Sequence, residues 1–203
     1  LPLVIVQGLV SPVFLASAGY FNSLMMNRKD FEERDQEDPL SHFRAEFSLP
    51  DELVYLDGNS LGALPGKVLD RVSSVIEREW GHDLIRSWWD NGWMELPAIV
   101  GDKIAQLIGA QAGEVIVCDS TSVNLFKVLS AALYNSSDRN VILSDRANFP
   151  TDLYIANGVI STMERDVKLR MVNSDELEQH IDSSVAVLFL THVDFRHGAR
   201  HDM

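Results

Sequence analysis

Four polar residues, D-S-T-S at positions 119–122, follow directly on the apolar β-branched run of residues 115–118. The run is typical of a buried strand, and an apolar pattern with helical spacing begins at Val123. A strand that enters a helix through hydroxyl residues brings together free backbone N–H groups, the positive end of the helix dipole and O–H donors. We therefore predict that Thr121 and Ser122 form a phosphate seat. The alternative is that they only cap the helix.

A second candidate segment is N-F-P-T-D at positions 148–152. Pro150 is typical of a first helical position, where its missing N–H costs nothing. The ring of Phe149, just before that helix, could pack flat on a planar ligand, although an isolated Phe is more often part of a core. Asp152 in the first helical turn is favoured by the helix dipole, and its sharper role would be to face a cationic ring nitrogen.

A third polar segment begins at Thr191 and holds three histidines, His192, His197 and His201. Their spacing fits no standard zinc pattern and no cysteine accompanies them, so we predict no metal site. The glycine-rich dinucleotide and nucleotide motifs, the H-E-x-x-H motif and the G-x-S-x-G motif are also absent from the sequence. A hydroxyl turn, an aromatic ring and a carboxylate at neighbouring strand ends would suit pyridoxal 5'-phosphate, which needs all three.

The elements that must position these residues alternate regularly from residue 114 onward. We predict strands at residues 114–118, 140–143, 167–172 and 185–191, and helices at residues 121–134, 150–160 and 175–181, the last capped by Ser174. Alternation at this spacing predicts an α/β fold with a mainly parallel sheet and helices on both faces. Ligands of such sheets bind at the carboxyl ends of the strands, where the three polar segments lie.

The composition is that of one sizeable globular domain. The 203 residues are 46% hydrophobic and 23% charged, with a net charge of −13 at pH 7. This balance, without a basic patch, argues against a nucleic-acid surface. The one cysteine, Cys118, excludes an internal disulfide and agrees with a reducing compartment. Because Cys118 lies in the apolar run, we predict a buried core thiol.

The first 65 residues divide into two parts. Residues 1–25 are apolar and uncharged, and we interpret them as an extension upstream of a start at Met25 or Met26. A secretory signal with cleavage near residues 16–18 is the alternative, which leaves a minority chance of export. Residues 26–65 are predicted to be an N-terminal arm, followed by amphipathic helices over residues 66–80 and 99–109.

Five ordered blocks resemble the bacterial kynureninase family. They are Y-L-D-G-N-S-L-G at 55–62, L-I-R-S-W at 84–88, D-S-T-S-V-N-L-F-K-V-L-S-A-A-L at 119–133, N-F-P-T-D-L-Y-I-A at 148–156, and L-T-H-V-D-F-R-H-G at 190–198 running to H-D-M at 201–203. The resemblance covers about residue 39 to the last residue. It implies a fold-type-I pyridoxal-phosphate enzyme of the aspartate-aminotransferase superfamily, with residues 66–203 as the first part of its large domain.

The resemblance further implies hydrolysis of L-kynurenine, or 3-hydroxykynurenine, to anthranilate and L-alanine in tryptophan degradation, by a cytoplasmic homodimer. Carried onto this sequence, the family's cofactor contacts fall on Thr121, Ser122, Phe149, Pro150, Thr151, Asp152 and Thr191. Its substrate contacts fall on Asn59, Ser60 and Trp88. Residues 194–200, D-F-R-H-G-A-R, depart from the family pattern, which leaves their loop contacts open.

The family's Schiff-base lysine, its main pyridinium aspartate and its substrate-carboxylate arginine are expected beyond Met203. We therefore expect this chain alone to be inactive. Two alternatives are another fold-type-I enzyme, similar to a cysteine desulfurase or an aminotransferase, and a truncated non-catalytic paralogue.

Overall fold

The computed structural model describes residues 3–7, 26–136 and 138–202. Residues 1–2 and 8–25 of the predicted leader lie outside this range. They include the proposed cleavage site near residues 16–18 and the proposed start at Met25. The helices are α1 (Arg28–Glu37), α2 (Gly66–Ser74), α3 (Ser87–Asp90), α4 (Leu96–Ile108), α5 (Thr121–Asn135) and α6 (Pro150–Thr162). The strands are β1 (Leu3–Gln7), β2 (Phe47–Ser48), β3 (Leu64–Pro65), β4 (Val141–Asp145), β5 (Lys168–Val172) and β6 (Val185–Thr191).

The chain divides into two compact units. The sheet unit contains Leu1–Val10 and Ile116–Met203, and the helical unit contains Ser11–Val115. None of the helices among the described residues is both long enough and apolar enough to cross a membrane.

A parallel sheet of four strands organises the sheet unit, in the order β1-β6-β4-β5. Strand β4 is buried at every position and β6 is buried at all but Leu188 and Thr191. Such continuous apolar runs are typical of parallel strands that are covered on both faces. The predicted α/β fold with a parallel sheet is confirmed.

Each face of the sheet has its own core. On one face, α5 and α6 pack Leu129, Leu133 and Val159 against Ile142 and Phe189. On the other face, a cluster forms from Leu143, Val172, Leu177, Val185 and Leu190. Leu177 lies between two short 3₁₀ segments, Ser174–Glu176 and Glu178–His180, which replace the predicted helix at 175–181. Asn173, and not Ser174, is the N-cap residue of this stretch, and Glu176 Oε2 accepts hydrogen bonds from the Asn173 N–H at 3.2 Å and from its Nδ2 at 2.9 Å.

The predicted strand at residues 114–118 was wrong. These residues form no strand, and Ile116 is 67% exposed. Composition favours an extended backbone here, but a strand also needs a neighbour to supply ladder hydrogen bonds. The boundary between the two units falls within this stretch, after Val115, and β6 is paired with β1 and β4 instead. Cys118 is exposed in consequence, so the prediction of a buried thiol was also wrong.

The helical unit follows the predicted pattern with one change. The helix predicted at 66–80 is α2, which continues into a π-helical segment at Val75–Asp83. Buried Glu79 lies in this segment, where it accepts hydrogen bonds from Arg71 and from Trp93 Nε1, the latter at 2.6 Å. Leu84, with φ of 53°, ends the segment in a backbone region that L-residues rarely adopt.

Candidate functional site

A cavity of about 140 Å³ lies at the carboxyl ends of the parallel strands. Asp145 and Thr191, the last residues of β4 and β6, line it, and so does Ser174, just after β5. The remaining walls come from residues 147–149 and from the loop after β6. The position agrees with the rule that ligands of α/β sheets bind at the carboxyl edge.

Asp145 is a fixed and buried carboxylate at the floor of this cavity. It accepts hydrogen bonds from Ser174 Oγ and, at 2.7 Å, from the Ala147 N–H, and His201 Nε2 lies 3.7 Å from Asp145 Oδ2. The carboxylate thus stands between the serine and the histidine. In a serine-nucleophile triad the histidine occupies the middle place, so this arrangement does not activate Ser174 as a nucleophile.

Phe149 presents an aromatic ring to the cavity. It is the N-cap residue of α6, and Pro150 starts the helix as its spacing predicted. The Phe149 ring is 39% exposed and makes an edge-on contact with Phe195, with ring centroids 4.9 Å apart. This contact restrains the ring on one side, and the exposed part of the Phe149 side chain remains accessible to a ligand.

Asp152 lies in the first turn of α6 and is only 2% exposed. Its Oδ2 is 3.2 Å from Thr191 Oγ1 at the end of β6. Burial raises the pKa of the Asp152 carboxyl above its ordinary value, and side-chain contacts with the Thr191 and Thr151 hydroxyls counter this only in part. A cationic group beside Asp152 would favour its charged form.

Asn148 is a functional candidate that sequence reasoning missed. It is 7% exposed, and its Oδ1 accepts a hydrogen bond from Thr191 Oγ1 at 2.6 Å. Its Nδ2 donates to Ser144 Oγ at 3.1 Å. The signal in the sequence was a polar residue directly before the Phe-Pro helix start, but its partner Thr191 is 43 positions away.

The loop after β6 is held together by Asp194. Its carboxylate accepts hydrogen bonds from the N–H groups of Arg196 and His197 and from the Arg196 guanidinium. These contacts, the His197 N–H first among them, lower the pKa of Asp194 to about 2. Gly198, with φ of 65°, closes the turn in a conformation that suits glycine. The loop that departs from the family pattern is therefore well ordered by its own residues.

The three histidines of this segment have separate surroundings. His197 contacts Asp194, whereas His201 faces Asp145. Within residues 26–136 and 138–202, no group of three or more His, Cys, Asp or Glu side chains converges in a way that could hold a metal ion.

The predicted phosphate seat begins α5. The N-cap residue is Ser120, which accepts a hydrogen bond from the Val123 N–H at 3.4 Å, so Thr121 and Ser122 are not themselves the cap of α5. Thr121 is exposed and Ser122 is half-buried in the first turn. Neither residue lines the cavity that Phe149 and Thr191 line.

The predicted substrate contacts lie in the helical unit. Asn59 and Ser60 are exposed in a turn that Tyr55 braces by donating its hydroxyl to Leu61 O at 2.5 Å. Trp88, in α3, is 43% exposed and makes an edge-on contact with Trp93, at 6.0 Å between ring centroids. Both features offer side chains that a ligand could reach.

Comparison with known proteins gives consistent matches. No protein-family model matches the chain. It is 50% identical over 184 residues to a kynureninase of Pseudomonas fluorescens, which covers 88% of this chain and 44% of that protein. It is 55% identical over 174 residues to a kynureninase of Deinococcus radiodurans, with 83% and 42% covered, and 47% identical over 184 residues to one of Burkholderia pseudomallei, with 88% and 44% covered. The chain therefore spans less than half the length of these curated relatives.

The parallel α/β sheet with a cavity at its carboxyl edge is consistent with part of a pyridoxal-phosphate-dependent transferase-like fold. Over the residues compared, the chain is similar in sequence to kynureninases.

Proposed function

We propose that this chain is the first part of a kynureninase, an enzyme that hydrolyses L-kynurenine to anthranilate and L-alanine with pyridoxal 5'-phosphate, with 3-hydroxykynurenine as the alternative substrate. The observation that carries the proposal is the identity of about half of the residues with bacterial kynureninases over most of the chain. The comparison favours this family over a cysteine desulfurase-like or aminotransferase-like enzyme.

The residues at and just behind the cavity fit the cofactor by their chemistry. Phe149 and Thr191 line the cavity and supply a partly exposed ring and a hydroxyl. Asp152 does not line it, but contacts Thr191 and supplies a buried carboxyl whose raised pKa a cationic ring nitrogen would lower again. Thr121 and Ser122, with the first N–H groups of α5, would hold the phosphate. Pro150 and Thr151, the first residues of α6, would be further contacts of the cofactor. When bound, pyridoxal phosphate supplies an electron sink for carbanion chemistry.

The chain's own groups would orient and protect this ligand. The edge-on Phe195 contact restrains the Phe149 ring, which would keep the stacking surface in place. Burial of Asp152 excludes water from its carboxylate, so a charge pair formed there would be stronger than in solvent. Asn59, Ser60 and Trp88 would contact the substrate, and the whole enzyme would be a homodimer.

We also propose that the Schiff-base lysine lies outside these 203 residues. The lysines of the chain are Lys29, Lys67, Lys103, Lys127 and Lys168. None of them is among the residues that line the cavity, and Lys127 makes an ion pair with Asp119. The chain alone should then bind pyridoxal phosphate without forming a covalent bond.

Circular dichroism of the cofactor's own absorption band tests the site. We expect a signal when pyridoxal phosphate is added to the chain, and a roughly tenfold weaker affinity in Phe149→Ala, since stacked aromatic contacts contribute about 0.5–1.5 kcal/mol beyond area burial. Phe31→Ala is a matched control, because Phe31 is 51% exposed in α1. Equal affinity of the two variants would contradict the assignment of Phe149.

Borohydride reduction tests the lysine proposal separately. We expect no cofactor to become covalently attached to this chain after reduction. Mass spectrometry that finds a reduced adduct on any of the five lysines would refute the proposal. For the longer protein, release of anthranilate from L-kynurenine, followed by its fluorescence, is the test of activity.

A further inference from the structure

Asn148 is the centre of a buried polar network that joins the ends of β4 and β6 to the start of α6. Its Oδ1 accepts hydrogen bonds from the Phe149 N–H at 2.7 Å and from Thr191 Oγ1 at 2.6 Å. Its Nδ2 donates to Ser144 Oγ at 3.1 Å and to Phe189 O at 3.4 Å. The side chain therefore uses both ends of its amide.

The orientation of this amide is determined by two backbone groups. A flipped amide would point its NH₂ group at the Phe149 N–H and its oxygen at the carbonyl of Phe189. Both contacts would be repulsive, because a backbone N–H only donates and a backbone carbonyl only accepts. Ser144 agrees with this orientation, since its own proton is donated to Phe189 O at 2.7 Å and its oxygen can accept from Asn148.

Thr191 has one hydroxyl proton and two acceptors for it. Asn148 Oδ1 lies at 2.6 Å and Asp152 Oδ2 at 3.2 Å from Thr191 Oγ1. Because Asn148 can only accept on this side, the shorter contact requires the proton. We propose that Asn148 is a positioning residue that takes the hydroxyl proton of Thr191 and turns the lone pairs of that hydroxyl toward Asp152.

The consequence is a preference for the neutral form of Asp152. A protonated Asp152 can donate to Thr191 Oγ1. An ionised Asp152 keeps its other contacts, including that with the Thr151 hydroxyl, but must compete with Asn148 for the proton of Thr191. Asn148 would thus favour the neutral form of the Asp152 carboxyl until a cationic group binds beside it. This functional consequence, unlike the proton arrangement itself, rests on the proposed function, in which that group is the ring nitrogen of pyridoxal phosphate.

Other charged groups near this network have partners of their own. Along the cavity, His201 faces Asp145, and Asp194 is bound by its own loop. The cavity is also lined by Arg200. Besides Asp152, α6 carries one other ionisable residue, Tyr154, and it packs against α5 and β5 and, through the core cluster, against β4 and β6. The charged residues of α5 and β5 form ion pairs: Lys127 with Asp119, Lys168 with Asp166 and Arg170 with Asp182. In β4 the charged residue is Asp145, and β6 has none.

The test is a titration of Asp152 in the chain without cofactor, followed by the ¹³Cγ chemical shift of labelled aspartate and assigned with Asp152→Asn. In Asn148→Ala the Thr191 proton becomes available to the carboxylate. We expect the proton affinity of Asp152 to fall about tenfold. In the Thr191→Val background the same Asn148→Ala change should have no effect, because the contested proton is absent. A purely structural role for Asn148 would give equal shifts in both backgrounds, which would overturn the proposal.

Thr191→Val alone gives an answer even if Asn148→Ala does not fold. If Asn148 holds the proton, removing the hydroxyl leaves the proton affinity of Asp152 unchanged or lowers it. A rise would mean that Thr191 donates mainly to Asp152, and the proposal would be wrong. Binding of pyridoxal phosphate is measured separately by circular dichroism. If the titration gives the expected results but the chain does not bind pyridoxal phosphate, the proposed function is refuted and the proton arrangement is still supported.

Discussion

The two units of this chain differ most in what they bury. In the sheet unit, α5, α6 and the strands enclose fully buried residues such as Leu129, Leu133 and Phe189. In the described part of the helical unit only Glu79, Ser87, Gly101 and Ala105 are buried. Leu107, on α4, is 82% exposed. An amphipathic pattern thus gives a core only where a second layer covers it.

This difference matters for function because the candidate residues are divided between the units. The cofactor candidates Phe149, Asp152 and Thr191 lie at the start of α6 and the end of β6, in a packed unit that can keep them in a fixed geometry. The substrate candidates Asn59, Ser60 and Trp88 are on exposed turns and short helices. We expect the cofactor residues to be already positioned in this chain, and the substrate residues to be less so.

The largest expected difference is in the free energy of unfolding, when a Leu→Ala substitution is made in each unit. Leu129→Ala in α5 removes a side chain that is 0% exposed, and it should lower the free energy of unfolding by about 2–5 kcal/mol. Leu107→Ala in α4 is the matched control and should change it by less than about 0.5 kcal/mol. Urea unfolding followed by far-UV circular dichroism measures both. Equal losses would mean that the helical unit has a core comparable to that of the sheet unit.

A smaller effect is expected from the edge of the sheet. β1 pairs with β6 through its backbone over Leu3–Gln7. The double change Val4→Pro and Ile5→Pro removes two adjacent N–H groups, one of which must face β6, and should cost about 1–3 kcal/mol. Val4→Ile with Ile5→Val keeps both N–H groups and is the control. If the two variants unfold at the same urea concentration, pairing of β1 with β6 does not stabilise the sheet unit.

The loop after β6 should depend on pH through Asp194. Its pKa is lowered from 3.8 to about 2, so the stabilisation is complete above about pH 4 and is lost as the pH falls toward 2. We expect amide exchange at Arg196 and His197 to accelerate over that interval. Asp194→Asn has no carboxylate to titrate, so exchange at these two amides should already be fast above pH 4 and should show no such transition. Unchanged protection at pH 2 in the native chain would contradict the assignment.

The smallest predicted effect is a change in the pKa of Glu79, in the helical unit. Hydrogen bonds from Arg71 and then Trp93 lower the pKa of Glu79. Trp93→Phe removes one of them and should raise that pKa toward its ordinary value, as a glutamate ¹³Cδ titration would report. Trp89→Phe is the control, because Trp89 is 69% exposed. The same Glu79 titration in both variants would mean that the Trp93 contact does not form in solution.

Much of the sheet unit was predictable from sequence because its signals are local. The apolar runs of β4, β5 and β6 and the Pro150 helix start predicted those elements to within a few residues. The strand at 114–118 failed because pairing depends on a partner, which composition does not supply. Asn148 and Phe195 were missed for the same reason, since their contacts with Thr191 and Phe149 join segments far apart in the chain.

The most direct test of the account is to map where pyridoxal phosphate binds. In a ¹H–¹⁵N NMR titration of the chain, we predict that the cofactor shifts the amides of Phe149, Asp152 and Thr191, together with those of Thr121 and Ser122. The amides of α4 should not move. Shifts confined to the helical unit, or no saturable shifts at all, would contradict the claim that the carboxyl edge of this sheet holds the cofactor.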